Sequence, residues 1–273
     1  MEALRGKIGE HHGIFTPQHR EALRAGLLRR AEAEPTVVAA AVTGSGADGG
    51  EDRWSDIDLA LAVRDGVELS GVLEQWTSLM YAEHGAAHHM DMLAGPWIYR
   101  VFLLANSLQV DLAFVPAAEF RALAPTFRLV FGEAQAARYV PQPAPADLLS
   151  YGWLYALHAR SSIARGKWWQ AEHMIRGVRD QAMALACLRH GVPAVHGKGF
   201  DQLPAELLER LQEAAGGRMD RAKITRAFRF VLGALIDELS FLDPARLDPA
   251  LTERLRVPLE ELVSWTRLPM ESI

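Results

Sequence analysis

Apolar positions at helical spacing open the readable part of the chain. In residues 17–34 (PQHREALRAGLLRRAEAE), Leu23, Leu27 and Leu28 recur among charges, which predicts an amphipathic helix lying on a core. The period then changes. Residues 37–43 (VVAAAVT) and 57–63 (IDLALAV) are short apolar runs with β-branched ends and read as two strands, with GSGADGG breaking the chain between them. Another amphipathic segment covers about 68–84. A candidate strand follows, and then WIYRVFLLA and LQVDLAFVP, joined by a short Asn-Ser turn, read as an antiparallel hairpin. This order over residues 17–116 predicts a compact α/β lobe around a mixed sheet.

The pattern breaks at 141–147 (PQPAPAD), where three alternating prolines can continue neither a helix nor a central strand. A domain boundary is expected there, giving domains at 1–145 and 146–273. Beyond it nothing reads as strand. Residues 147–160, 162–190, 205–215 and 219–241 carry i, i+3, i+4 apolar spacing, with a Gly/Pro-rich break at 191–204. The fold class expected is therefore α+β: an N-terminal mixed β-sheet with flanking helices, then a C-terminal all-α bundle.

Composition narrows the partners. The 273 residues are 49% apolar and 23% charged, which is ordinary for a globular protein. A net charge of -5 and a pI near 6.1 provide no overall positive field for a phosphate backbone, which argues against nucleic acid. Cys187 is the one cysteine and lies in MALACL, so no disulfide framework or cysteine metal site can form. The first fifteen residues lack a continuous apolar stretch, and no segment approaches the roughly 18 apolar residues of a spanning helix. A cytoplasmic location with no membrane partner is expected.

Residues 42–63 (VTGSGADGGEDRWSDIDLALAV) hold the candidate chemistry. Gly44 and Ser45 end the first strand, where a residue without Cβ lets the backbone approach a phosphate, and where N–H groups and a hydroxyl can donate to its oxygens. Asp56 and Asp58 are two apart, so both carboxylates project to one face while Ile57 and Leu59 point into the core. Like charges so close are unfavourable without a cation or a shared proton, and oxygen ligands beside phosphates favour Mg2+. Asp111 sits within the alternation Val110, Leu112, Phe114 and is the candidate third carboxylate. Three carboxylates on adjacent strands can hold two Mg2+ about 3.5–4 Å apart, as two-metal phosphoryl transfer needs. Asp111 is also a candidate general base.

Gly44-Ser45, ten intervening residues, Asp56-Ile57-Asp58 and a later strand carrying Asp111 together resemble the polymerase-beta-like nucleotidyltransferase superfamily. The wording Ser-Asp-Ile-Asp-Leu is most similar to its small-molecule branch, the aminoglycoside and lincosamide nucleotidyltransferases. The motif resemblance spans residues 36 to 116, and the helical half matches only in general character. It implies a nucleotidyltransferase fold, two Mg2+, ATP or another NTP as donor, and release of pyrophosphate. It also implies transfer of a nucleoside monophosphate, with AMP favoured, to a hydroxyl of a small polar acceptor such as an aminoglycoside or lincosamide antibiotic. A homodimer stays open.

Basic residues from the helical half are expected at the nucleotide, with Arg179 and Lys198 as candidates, Lys198 lying between glycines that permit close approach. In the helix around 165–180, Trp168, Ala171, Ile175, Val178 and Leu185 form a core stripe, while Trp169, Glu172, Arg176 and Asp180 share another face. Glu172, Arg176 and Asp180 are candidate acceptor contacts; the competing reading is a salt-bridged helix surface. His88, His89 and Asp91 are set aside as a metal set, because adjacent strand residues face opposite ways. The rival functions are a nucleotidyltransferase acting on protein or tRNA, and a non-catalytic nucleotide-binding module of the same fold.

Overall fold

The computed structural model describes residues 14–212, 214, 219–242 and 249–268. The reading of the first fifteen residues lies outside this set except at Ile14 and Phe15, as do positions 213 and 215 of the helix expected over 205–215. The chain divides into two compact units, Met1–Val140 and Pro141–Ile273.

In the first unit, helix α1 (Pro17–Ala33) starts where the Thr16 hydroxyl accepts from the His19 N–H at 3.2 Å and Pro17 supplies a preset φ. Strand β1 (Val37–Thr43) leads into a single turn of helix, α2 (Ser45–Asp48), and then β2 (Ile57–Val63) and helix α3 (Leu69–Glu83). Strands β3 (Ala86–Ala94), β4 (Trp97–Leu104), β5 (Gln109–Pro116) and β6 (Phe127–Phe131) complete a six-stranded sheet of order β3-β4-β5-β2-β1-β6. The sheet is mixed: β2 and β5 run parallel and the remaining pairs antiparallel. Two elements depart from expectation. The 45–48 turn was expected as plain loop, and β6 was not expected at all, because its five residues at a sheet edge lack a buried alternation.

Strand alternation gives the sheet two different faces. Ile57, Leu59 and Leu61 of β2 and Val110, Leu112 and Phe114 of β5 form one buried face with Leu23 and Leu27 of α1 and Val72, Trp76 and Met80 of α3. Trp76 meets Phe114 edge-on, with ring centroids 6.0 Å apart. The opposite face is built from small residues, Ala39, Ala41, Ala60, Ala62 and Ala113, capped at one end by Trp97, Val115 and Phe120. Asp58 and Asp111 belong to this second face by register.

The second unit is helical: α4 (Pro145–Ala164), α5 (Trp168–His190), α6 (Ala205–Gln212), α7 (Arg221–Phe241) and α8 (Pro249–Trp265), with no strand among its described residues. Pro145 begins α4 earlier than expected, because a proline at a first helical position gives up no hydrogen bond. Helix α8 was not expected, since Pro258 interrupts its pattern. Ala156, Ala159 and Ile163 of α4 pack with Ala171, Ile175, Val178 and Leu185 of α5 and Phe228, Leu232 and Leu235 of α7. Glu238 is buried in this core, and the Arg189 fork donates to both of its oxygens at 3.0 and 2.8 Å. No described helix is long and apolar enough to cross a membrane.

Candidate active site

The parallel pairing of β2 with β5 sets Asp58 directly beside Asp111, and Asp56 stands two positions before Asp58 at the mouth of β2. One oxygen from each of the three carboxylates lies within 4.8 Å of the other two, and all three residues are half-buried. Gln109, two residues before Asp111 and hence on its face, closes the cluster. Its side-chain amide donates to both Asp111 oxygens at 3.0 and 3.2 Å and to Asp56 Oδ2 at 3.4 Å. Burial, with the Asp56 charge adding to it, pushes the Asp111 carboxyl up from 3.8 to about 6, although the Gln109 amide pulls the other way. The sequence reading missed Gln109; its signal was the i−2 spacing from Asp111.

The bend at the end of β1 is fixed against this cluster. Gly44 has φ +60°, and a Cβ there would run into the Asp58 carboxylate, so both the backbone angle and the close approach require glycine. Ser45 follows as the first residue of α2. The loop from α2 to β2 is held by two arginines of α1. Arg20 donates to the carbonyls of Asp52 and Ser55 at 2.6 and 3.1 Å, and Arg24 donates to Glu51 at 2.6 Å and pairs with Glu21. Arg20 Nε lies 3.4 Å from the same Glu51 oxygen, an ion contact without hydrogen-bond geometry. Both arginines are buried, so the loop is anchored to the helix and not merely tethered between strands. Asp52 tightens it further, accepting from the Trp54 N–H at 2.7 Å and the Ser55 hydroxyl at 3.1 Å.

The three carboxylates lie close together at half-buried positions, and burial, more than the neighbouring Asp56 charge, raises the Asp111 carboxyl. A hard divalent cation with oxygen ligands fits this donor set. What the fold and the cluster define is an α+β protein with a candidate divalent-cation centre on one face of a mixed sheet, next to a glycine bend.

No protein-family model matches the chain, and neither does any curated protein sequence. Among solved structures it is similar to an aminoglycoside 6-adenyltransferase from Bacillus subtilis, at 14% identity and TM-score 0.39 over 86% of this chain and 95% of that one. It is also similar to a nucleotidyltransferase-like protein from Exiguobacterium sibiricum, at 13% identity and TM-score 0.36 over 90% of each chain.

Of the candidates in the helical unit, Arg176, Arg179 and Asp180 lie near one another on α5. Asp180 has the Arg179 Nε at 3.5 Å and the Arg176 Nε at 3.8 Å, pairs on the helix's own surface. Glu172 is half-buried on the same helix, beside the exposed Trp169. Lys198 sits in a tight turn, and its flanking glycines serve the turn: Gly197 has φ +70°, and a Cβ on Gly199 would strike the Pro193 carbonyl. On β3, His89 meets the Tyr81 hydroxyl at 3.0 Å and Asp91 is held by the Arg100 fork at 2.6 and 2.7 Å. A shallow depression beside Arg100, lined by Ser70, Leu73, Glu74 and Thr77, lies on the helix-covered face, with the Arg100 donors engaged by Asp91, Thr77 and the Leu73 carbonyl.

Proposed function

We propose that the protein is a divalent-cation-dependent nucleotidyltransferase that moves a nucleoside monophosphate, AMP from ATP in the first instance, onto a hydroxyl of a small acceptor. The observation carrying this is the convergence of Asp56, Asp58 and Asp111 within 4.8 Å, from neighbouring parallel strands. Asp56, Asp58 and Asp111 would hold Mg2+, which when bound supplies charge neutralisation at the triphosphate and a lowered pKa for an acceptor hydroxyl. Gly44 lets the β1–α2 backbone approach the phosphates, where the N–H groups at the start of α2 and the Ser45 hydroxyl donate to them. Gln109 orients Asp111, and Asp111 is the proposed acceptor of the hydroxyl's proton.

The test is pyrophosphate release with Mg2+ and each NTP in the Asp56→Asn and Asp58→Asn variants. Loss of at least about a hundredfold is expected where a group acts in transition-state charge stabilisation. Full activity in both would end the reading. The same assay separates turnover from a non-catalytic nucleotide-binding module, in which calorimetric Mg2+–ATP binding persists with no product from any acceptor.

A further inference from the structure

The carboxylates stand at one end of a transverse row of side chains. Register places Asp58 of β2, Asp111 of β5, Val101 of β4 and Met90 of β3 side by side across four neighbouring strands. Directly paired residues share a face, so all four project from the side of the sheet opposite α1 and α3. Along β3 and β4 the same face carries His88, Met92, Tyr99 and Leu103. This extension is open: Met90 is 54% exposed, Met92 48% and Leu103 52%. Strand spacing puts Met90 about 10 Å from Asp111.

Charge is distributed unevenly between the two faces of these strands. Asp91 and Arg100 point to the opposite side, where they neutralise one another. The side continuous with the carboxylates presents thioethers, branched aliphatics and the Tyr99 ring, which stacks on Trp97 with centroids 6.0 Å apart, with the exposed His88 imidazole at one end of β3. Such a surface, continuous with a candidate reaction centre, suits an apolar occupant. Methionine suits it, since a flexible polarizable side chain conforms to varied apolar shapes.

We propose that this shelf is the acceptor subsite, and that the acceptor is a hydroxyl compound with an uncharged apolar body reaching about 10 Å from its reacting oxygen. This rests on the nucleotidyltransferase reading above. A polycationic acceptor would find no counter-charge along the row beyond the carboxylates themselves, whereas an amphiphilic one places its hydroxyl at Asp111 and its apolar part over Val101, Met90 and Met92.

Alkyl β-glucosides, from methyl to octyl and kept below their micellar range, supply the probe, with affinity read by calorimetry against chain length. With one side of the chain covered, each added pair of methylenes should tighten binding about fourfold. The double variant Met90→Ser/Met92→Ser should flatten that dependence. Leu93→Ser, which removes a more exposed apolar side chain from the other face of the same strand, should leave it unchanged. No chain-length dependence in the native protein, or an equal dependence in the double variant, overturns the shelf. Mg2+–ATP titrated into the same proteins reports the nucleotide reading separately. Failure to bind it while chain-length dependence survives removes the transfer reading, and the acceptor role with it, yet leaves an apolar site.

Discussion

Replacing Asp111 with Asn should stabilise the metal-free protein at neutral pH while abolishing its response to Mg2+. The Asp111 carboxyl lies at about 6 in the folded protein against 3.8 for the ordinary group. A folded-state value raised in this way means that the stability present below about pH 4 is lost as pH rises toward 6, because the unfolded chain ionises first. That difference corresponds to about 3 kcal/mol at most, and solvent screening of a half-buried group reduces this to about 1–2 kcal/mol. Asn keeps the shape. The Gln109 amide, which donates to both Asp111 oxygens, can keep its bond to the one oxygen that Asn retains and turn its second N–H toward Asp56.

The native protein without metal should therefore lose about 1–2 kcal/mol between pH 4 and pH 7, and Asp111→Asn should not, giving a melting temperature about 2–6 °C higher for the variant at pH 7.5. Adding 10 mM Mg2+ to a site with a Kd of about 1 mM returns about 1.4 kcal/mol to the native protein. The variant should show little of that gain. Thermal melts over pH 4–8, with and without Mg2+, read all of these quantities. A variant less stable than the native protein at pH 7.5, or one gaining equally from Mg2+, would refute the account of Asp111 as a buried carboxylate that binds a cation.

Two further substitutions probe the frame around the cluster. Gly44→Ala should cost about 2–3 kcal/mol through its positive φ and displace the Asp58 carboxylate, so the Mg2+-induced thermal shift should vanish with it; a shift of native size would show that Asp58 does not depend on this bend. Arg20→Met should cost about 2–3 kcal/mol by leaving the Asp52 and Ser55 carbonyls without their buried donor. Hydrogen exchange should then quicken over residues 51–56 ahead of the sheet, and unchanged protection there would mean the arginine does not anchor the loop.

How much of this was legible beforehand differs from element to element. Strands β1 and β2 read to the residue because their apolar runs end in sharp breakers, and the β4–β5 hairpin read because its turn is short. Strand β6 and helix α8 did not: one is a five-residue edge with no inward alternation, and the other carries Pro258 amid charges. In both, long-range packing supplies what local pattern lacks. Helix α1 shows a different limit. Its polar residues read as solvent-facing, yet Arg20 and Arg24 are buried, since their partners lie about thirty residues away in a loop that only the fold brings beneath the helix.

The site divides along the same line. Alternation alone places Asp56 with Asp58 and sets Asp111 apart from its apolar neighbours, so the three acids could be chosen from the sequence. Their convergence could not, because Asp58 meets Asp111 only through a parallel pairing that spans α3, β3 and β4. That intervening segment does more than bridge the pair. By folding back antiparallel beside β5 it extends the carboxylates' own face outward into Val101, Met90 and Met92, so the connection that makes the acid cluster also sets the surface next to it. A candidate reaction centre and a surface for its acceptor then follow from one topological feature. Lengthening or reordering the β3–β4 hairpin should alter which acceptor is used while leaving the binding of Mg2+ at Asp56, Asp58 and Asp111 intact.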